Sequence, residues 1–217
     1  MFFYKKRIKD YGTNNTVKTF DNSTLPKNLS VIIKGNNNLV IIDKNINFKN
    51  SKIQINSNDN VIKISHSKSL VMFDVEIKFG DRQKLIIGEN FSCAEGTKIW
   101  LLEPDCEVII GNDCMCSTDV HFIASDGHCI VDKDSKKILN ISKGIKVGNH
   151  VWIGTHARLL KNSIVPDNSI VGCNAVITKD FSGTGGVVLA GNPAKVKKEN
   201  VMWYRESIAN RRQHETI

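Results

Sequence analysis

Aromatic residues are scarce, 7% of 217, so the apolar share of 41% rests mainly on aliphatic and β-branched side chains. That share is still too high for a disordered chain. No apolar run approaches the roughly 20 residues that a membrane-spanning helix needs, and the opening MFFYKKRIKDYG lacks the sustained apolar core of a secretory signal. The six cysteines (Cys93, Cys106, Cys114, Cys116, Cys129, Cys173) include no CxxC pair and no metal-ligand array. No metal is expected, and reduced thiols in the cytoplasm are the simplest reading. Nucleic-acid-binding motifs are also missing, so nucleic acid is not an expected partner. The Gly-rich SGTGGVV at 182–188 does not end in GK[ST] or open a helix, and is not a phosphate loop. The formal net charge of +8 and pI near 9.2 suit an acidic substrate or partner, or a lysine-rich solvated surface.

A beat of six residues is present instead. Within VGNHVWIGTHARLL and beyond it, Val147, Ile153, Leu159, Val165, Val171 and Ile177 recur at a constant interval. Gly148, Gly154 and Gly172 follow three of these hits, and Val151, Ala157, Ser163, Ser169 and Ala175 sit four residues after a hit. A helix repeats every 3.6 residues and a strand every two. A period of six, with one large and one small inward position, predicts a coil that turns a corner every six residues. A longer beat precedes it. Ile42, Ile64, Ile87 and Ile110 are spaced by 22, 23 and 23 residues, and Ile33, Ile55, Ile77 and Ile99 by 22. One such interval fits a full three-sided turn of a stacked solenoid. Cys93, Cys114 and Cys116 fall on inward positions, where free cysteine acts as a small hydrophobe. The Asn clusters of the first sixty residues read as corners between short strands.

The rhythm breaks between Phe122 and Val147. The segment ASDGHCIVDKDSKKILNISKG, about 124–144, reads as a loop thrown out from the solenoid, and such a loop inside a compact repeat is commonly functional or disordered. After Ile177 the repeat ends. Val201, Tyr204 and Ile208 share one helical face, which predicts a C-terminal helix and tail over 197–217 that caps the solenoid. The expected division is an N-terminal extension over 1–30, a β-helix over 31–196 and this helical tail.

The units VGNHVW, IGTHAR and VGCNAV, the AGNPAK of 190–195 and the placement of NHVWIG and VITKD resemble the hexapeptide-repeat acetyltransferases over residues 85–200. The Asn-rich solenoid before this core is most similar to that of bacterial capsule and sialic-acid-polymer O-acetyltransferases. The resemblance implies an all-β solenoid, a left-handed parallel β-helix with an excursion loop. It also implies acetyl-CoA as co-substrate, a glycan acceptor that is anionic, and a homotrimer with active sites between subunits.

Acetyl transfer to a sugar hydroxyl requires removal of the hydroxyl proton, a task suited to imidazole with its unperturbed pKa of about 6.5. In Ser125-Asp126-Gly127-His128 the resemblance points to His128 as general base, with His121 on the last regular coil as its rival. Asp126 is a candidate to fix the imidazole tautomer, although a single intervening residue lets the two side chains diverge. Trp152, outward on its unit, corresponds to a residue that flanks the acetyl group and offers an N–H donor. Gly154, Thr155, Gly172 and Cys173 are candidates to line the pantetheine arm. Thr178, Lys179 and Lys195 are candidates near the adenosine phosphates, with Ala190, Gly191 and Pro193 shaping the main chain there. His150 and His156 read as coil-face residues lining a groove, and Arg158 as a contact to acceptor or co-substrate. In LLKNSI, Leu160 stands where Gly is usual. The alternatives are a small acceptor (a free sugar, a nucleotide-linked amino sugar or an antibiotic) and a non-catalytic scaffold or glycan binder. The scaffold would need neither the His-bearing loop nor GNPAK.

Overall fold

The computed structural model of the protein describes residues 7–183 and 185–214. The chain winds as a left-handed parallel β-helix with three faces. The first face is an eight-stranded sheet from Ile8–Asp10 to Val176–Ile177. The second is seven-stranded, from Thr16–Thr19 to Ser163–Val165, and the third eight-stranded, from Asn47–Lys49 to Lys195–Lys198. No helix among the described residues is long and apolar enough to cross a membrane.

The inward beat is a set of stacked columns. On the second face Ile42, Ile64, Ile87, Ile110, Val147 and Val165 pair in register from strand to strand, and Ile42, Ile64, Ile87 and Val165 have no solvent exposure. Burial of one such side chain contributes about 2–3 kcal/mol, so each coil is held by the coils above and below it. The first-face series departs from its constant spacing at one point. Ile33, Ile55 and Ile77 stack, but Ile77 pairs with Leu101, and Ile99 pairs with Val75. The interval between paired residues grows from 22 (Ile55 to Ile77) to 23 (Ile64 to Ile87, Leu70 to Cys93) across the corner at 78–83, and to 24 (Ile77 to Leu101) across the corner at 94–97, so two lengthened corners together shift the column by two residues.

The corners turn through left-handed backbone. Asn14, Asn37, Asp59, Asn90, Asp113, Asp119, His150, His156 and Asn174 all have positive φ, a conformation that Asn and Asp tolerate better than most residues. At the edge between first and second faces, the N-terminal coils carry a further device. Asn38 Nδ2 donates to Asn15 Oδ1 at 3.0 Å, Asn60 Nδ2 donates to Asn38 Oδ1 at 2.8 Å, and the Gln83 N–H donates to Asn60 Oδ1 at 2.9 Å. Asn38, Asn60 and Gln83 are buried, so this ladder satisfies polar groups inside the stack.

Two boundaries differ in detail from the sequence reading, the start of the coil and the extent of the C-terminal helix, while the excursion keeps its expected bounds. The coil begins before residue 31, because Ile8–Asp10 pairs with Val31–Ile33 and Thr16–Thr19 with Leu39–Ile42. Those first strands alternate lysine with few apolar residues, so no beat marks them. The excursion occupies Ala124–Gly144, between the strands His121–Ile123 and Ile145–Val147. It folds into a small hairpin bridged at Val131 and Ile138. The C-terminal helix is confined to Ile208–His214. Val201 and Tyr204 precede it, and residues 215–217 lie outside the described residues. Lys195–Lys198 forms an exposed antiparallel strand on Val188–Ala190, and residues 199–206 then run back along the edge between the second and third faces.

Candidate active site

The hairpin stands at the edge between the first and second faces. Its base is fixed by Ser142, whose N–H donates to Glu103 Oε2 at 2.9 Å and whose hydroxyl donates to the Ala124 carbonyl at 2.6 Å. Beneath it lies a cleft of about 450 Å³, walled by Phe79, Leu102, Pro104, Ile138 and Ile141, with His128 and Cys129 lining it. His128 is solvent-exposed. Asp126 does not orient it: Asp126 Oδ2 accepts from Asn140 Nδ2 at 2.7 Å and lies 3.2 Å from Lys161 Nζ. The two side chains diverge across Gly127, which has positive φ, and Asn140 instead ties the loop by donating to the His128 carbonyl at 2.9 Å.

Trp152 lies on the third face, the face opposite that edge, between Met115 and Ile170 in register. Its indole is 37% exposed and donates from Nε1 to Ser117 Oγ at 3.2 Å. Within one chain, therefore, His128 and Trp152 are separated by the filled core of the solenoid.

The edge between third and first faces holds most of the other candidates. Gly154 N–H donates to Val171 O at 2.7 Å and Gly172 N–H to Leu189 O at 2.8 Å, which stacks Gly154, Gly172 and Ala190 in one column. A Cβ on Gly154 would lie 2.8 Å from Cys173 N, and one on Gly172 would lie 3.0 Å from Ala190 Cβ. Coil packing thus requires glycine at 154 and leaves little room for a side chain at 172. Cys173, Gly191, Pro193 and Lys195 are exposed around this column, and Thr155 is half-buried. Gly191 (φ 103°) and the cis Asn192–Pro193 bond shape the final turn, which docks through Val176 N–H to Gly191 O and Ala194 N–H to Val176 O. Thr178 and Lys179 are not in this group. They sit at the edge between first and second faces, where Lys179 Nζ lies 5.1 Å from the centre of the Phe181 ring.

Three residues of this region form a charged cluster around Asp119. His121 Nε2 lies 2.9 Å from Asp119 Oδ1, while His156 Nδ1 and Arg158 Nη2 each lie 2.9 Å from Oδ2. The hydrogen bonds from His156 and Arg158 hold the Asp119 carboxyl well below the usual carboxylate range. Burial, and then the Arg158 charge, lower the His121 pKa. With its side chain 13% exposed and its ring 5.8 Å from that of Trp100, His121 is a fixed residue of the face. Among the described residues no group of three or more His, Cys, Asp or Glu is placed to hold a metal ion.

Comparison with known proteins bears on these groups. No family model matches the chain. It is 36% identical over 140 residues to a polysialic acid O-acetyltransferase of Escherichia coli O1:K1 / APEC, an alignment that takes in 64% of this chain but only 44% of that protein's length. It is 30% identical over 197 residues to a polysialic acid O-acetyltransferase of Neisseria meningitidis, spanning 91% of this chain and 89% of the relative. The chain belongs to the hexapeptide-repeat O-acetyltransferase family. The solved structure of the polySia-specific acetyltransferase NeuO, a member with 30% identity, superimposes with a TM-score of 0.73 over 93% of this chain and 89% of its own.

Beside these family features stands a group that the sequence reading left out. Trp203 is 5% exposed, and its ring stacks on His150 at 4.3 Å between centroids. His150, read as a coil-face residue, is engaged on both nitrogens: Nδ1 lies 2.7 Å from Asp113 Oδ2 and Nε2 2.9 Å from the Trp203 carbonyl. The signal was present as an aromatic inside a polar tail, but the helical reading of that tail assigned it no partner.

Proposed function

We propose that this acyltransferase moves an acetyl group from acetyl-CoA to a hydroxyl of an anionic bacterial cell-surface glycan, a sialic-acid-containing capsular polymer foremost, with His128 as general base. The observation that carries the reading is an exposed imidazole on an apolar cleft, in a chain similar along 91% of its length to a polysialic acid O-acetyltransferase. The formal charge of +8 suits an anionic acceptor.

Acetyl-CoA supplies an activated thioester carbonyl when bound. The shelf of small residues around Gly154, Gly172 and Ala190, ending at the exposed Lys195, fits a narrow apolar arm followed by phosphates. Trp152 borders that shelf and screens the reacting carbonyl from water, while its Nε1–H is held by Ser117. Thr178 and Lys179, at the opposite edge, meet the co-substrate only from a neighbouring subunit. His128 accepts the hydroxyl proton as the acceptor oxygen attacks.

Because His128 and Trp152 lie on opposite sides of one solenoid, a complete site needs two chains. A homotrimer with cyclic symmetry sets the loop edge of each subunit against the third face of the next.

The test is thiol release from acetyl-CoA with anionic capsular polysaccharides and with small sugars, comparing the wild type with His128→Ala. Release that needs polysaccharide and is lost in the variant supports the reading. Turnover with small acceptors alone moves the assignment to those acceptors. Undiminished release in His128→Ala refutes the assigned base.

A further inference from the structure

Residues 199–206 do more than end the solenoid. The segment lies along the edge between second and third faces, and Arg205 fastens it. Arg205 Nε donates to Asp113 Oδ1 at 2.8 Å, Nη1 to Ser92 Oγ at 2.9 Å, and Nη2 to the Asn90 and Cys114 carbonyls at 2.9 and 3.0 Å. One side chain thus spans two successive corners of the coil. Asp113, positioned by its own corner, receives both Arg205 and His150. Burial alone would raise the Asp113 pKa, but these two hydrogen bonds hold it below the ordinary value.

Trp203 is caught between these fixed groups. Its Nε1 donates to the His150 carbonyl at 2.8 Å, its carbonyl faces His150 Nε2 at 2.9 Å, and the Arg205 guanidinium lies 5.7 Å from the centre of its ring. The other side of Trp203 approaches Trp152, with centroids 6.3 Å apart and planes at 45°. Trp152 itself sits on a two-residue strand, half open to solvent, with one hydrogen bond to fix its ring. The largest neighbour given to it by the fold is Trp203.

We propose that Trp203 is a positioning residue for acyl transfer: clamped by His150 and Arg205, it sets the plane of the Trp152 indole. This rests on the reading that Trp152 borders the acyl group. A free indole at this position would sample several rotamers, and only some would wall the carbonyl. Trp203 removes that freedom before the co-substrate arrives, which is preorganisation at a site where misplacement of about 1 Å can cost on the order of a hundredfold in rate. Within one chain the strap lies at the edge between second and third faces and lines no part of that chain's own cleft.

The experiment compares full-length Trp203→Ala, Trp203→Phe, Arg205→Gln and Trp152→Ala. The readouts are near-ultraviolet circular dichroism, quenching of indole fluorescence by acetyl-CoA, and steady-state kinetics in each substrate separately. Loss of the indole pair in Trp203→Ala is expected to change the aromatic dichroism and to lower kcat/KM for acetyl-CoA by roughly tenfold or more. The acceptor KM should stay within about twofold, and Trp203→Phe should recover most of the loss, a split that simple unfolding would not produce. Normal kcat/KM in Trp203→Ala, with the indole-pair signal gone, overturns the proposal. If that variant does not fold, Arg205→Gln decides: it keeps both indoles but cuts the strap's anchors, so unchanged kinetics and quenching overturn it equally. Trp152→Ala keeps the two levels apart. Full activity there removes the underlying role of Trp152, whereas an inactive Trp152→Ala beside a normal Trp203→Ala removes only the strap's part.

Discussion

His128 belongs to the edge between first and second faces, and Trp152 to the face opposite. If each active site takes its base from one subunit and its indole from the next, two inactive variants must complement each other. His128→Ala keeps a working third face, and Trp152→Ala keeps a working loop. After co-refolding or subunit exchange at equal amounts, an interface is functional only when a Trp152→Ala subunit supplies the loop and a His128→Ala subunit supplies the face. Each condition holds for half the subunits, so about a quarter of all sites are intact and activity returns to about 25% of wild type in a closed cyclic assembly. The yield should trace a parabola in the mixing ratio, with its maximum at equal amounts. Thiol release per subunit reads it, and light scattering verifies that exchange has occurred. No recovery after demonstrated exchange would refute the argument, since it would mean that both residues act from one chain.

Asn60→Ala should lower stability by about 2–4 kcal/mol, because it strands the buried Gln83 N–H and empties a packed site. The melting midpoint of this 217-residue chain would fall by roughly 5–15 °C; a shift near zero would mean that the buried ladder is not structural. Asp119 has a depressed carboxyl pKa in the folded state, so its contribution is present above about pH 4 and is lost as pH falls below that value. Asp119→Asn should therefore lower the midpoint at neutral pH and flatten its decline in acid, and parallel curves for the two proteins would contradict the assignment.

Much of the fold is legible in the sequence because a solenoid repeats one local rule. Ile42, Ile64, Ile87 and Ile110 face each other in register because every turn between them has nearly the same length. Where turns change length the rule fails, as at 78–83 and 94–97, which together move Ile99 out of the column of Ile77. Asn residues read as corners do turn corners at Asn14 and Asn37, yet Asn38 and Asn60 lie inside, bonded to one another. Composition does not distinguish these two uses. The loop that carries His128 is legible as an interruption of the beat, whereas the choice of His128 within it comes from the resemblance. The partnership of Trp203 with His150 joins positions 53 apart in sequence, and no local period carries that information. Asp126 shows the converse, since adjacency in sequence suggested a pair that the backbone at Gly127 separates.

A stack of parallel strands has an inherent hazard at its ends, because the last coil presents a row of unpaired main-chain groups that another copy could extend indefinitely. In this protein the terminal strand of the third face runs the other way and reads Lys195, Val196, Lys197, Lys198, all exposed. A second solenoid arriving end-on would meet like charges and a reversed polarity at that sheet. Lys195, Lys197 and Lys198 thus place positive charge and a reversed strand where a further parallel coil of that sheet would have to pair, two features that disfavour edge-to-edge growth.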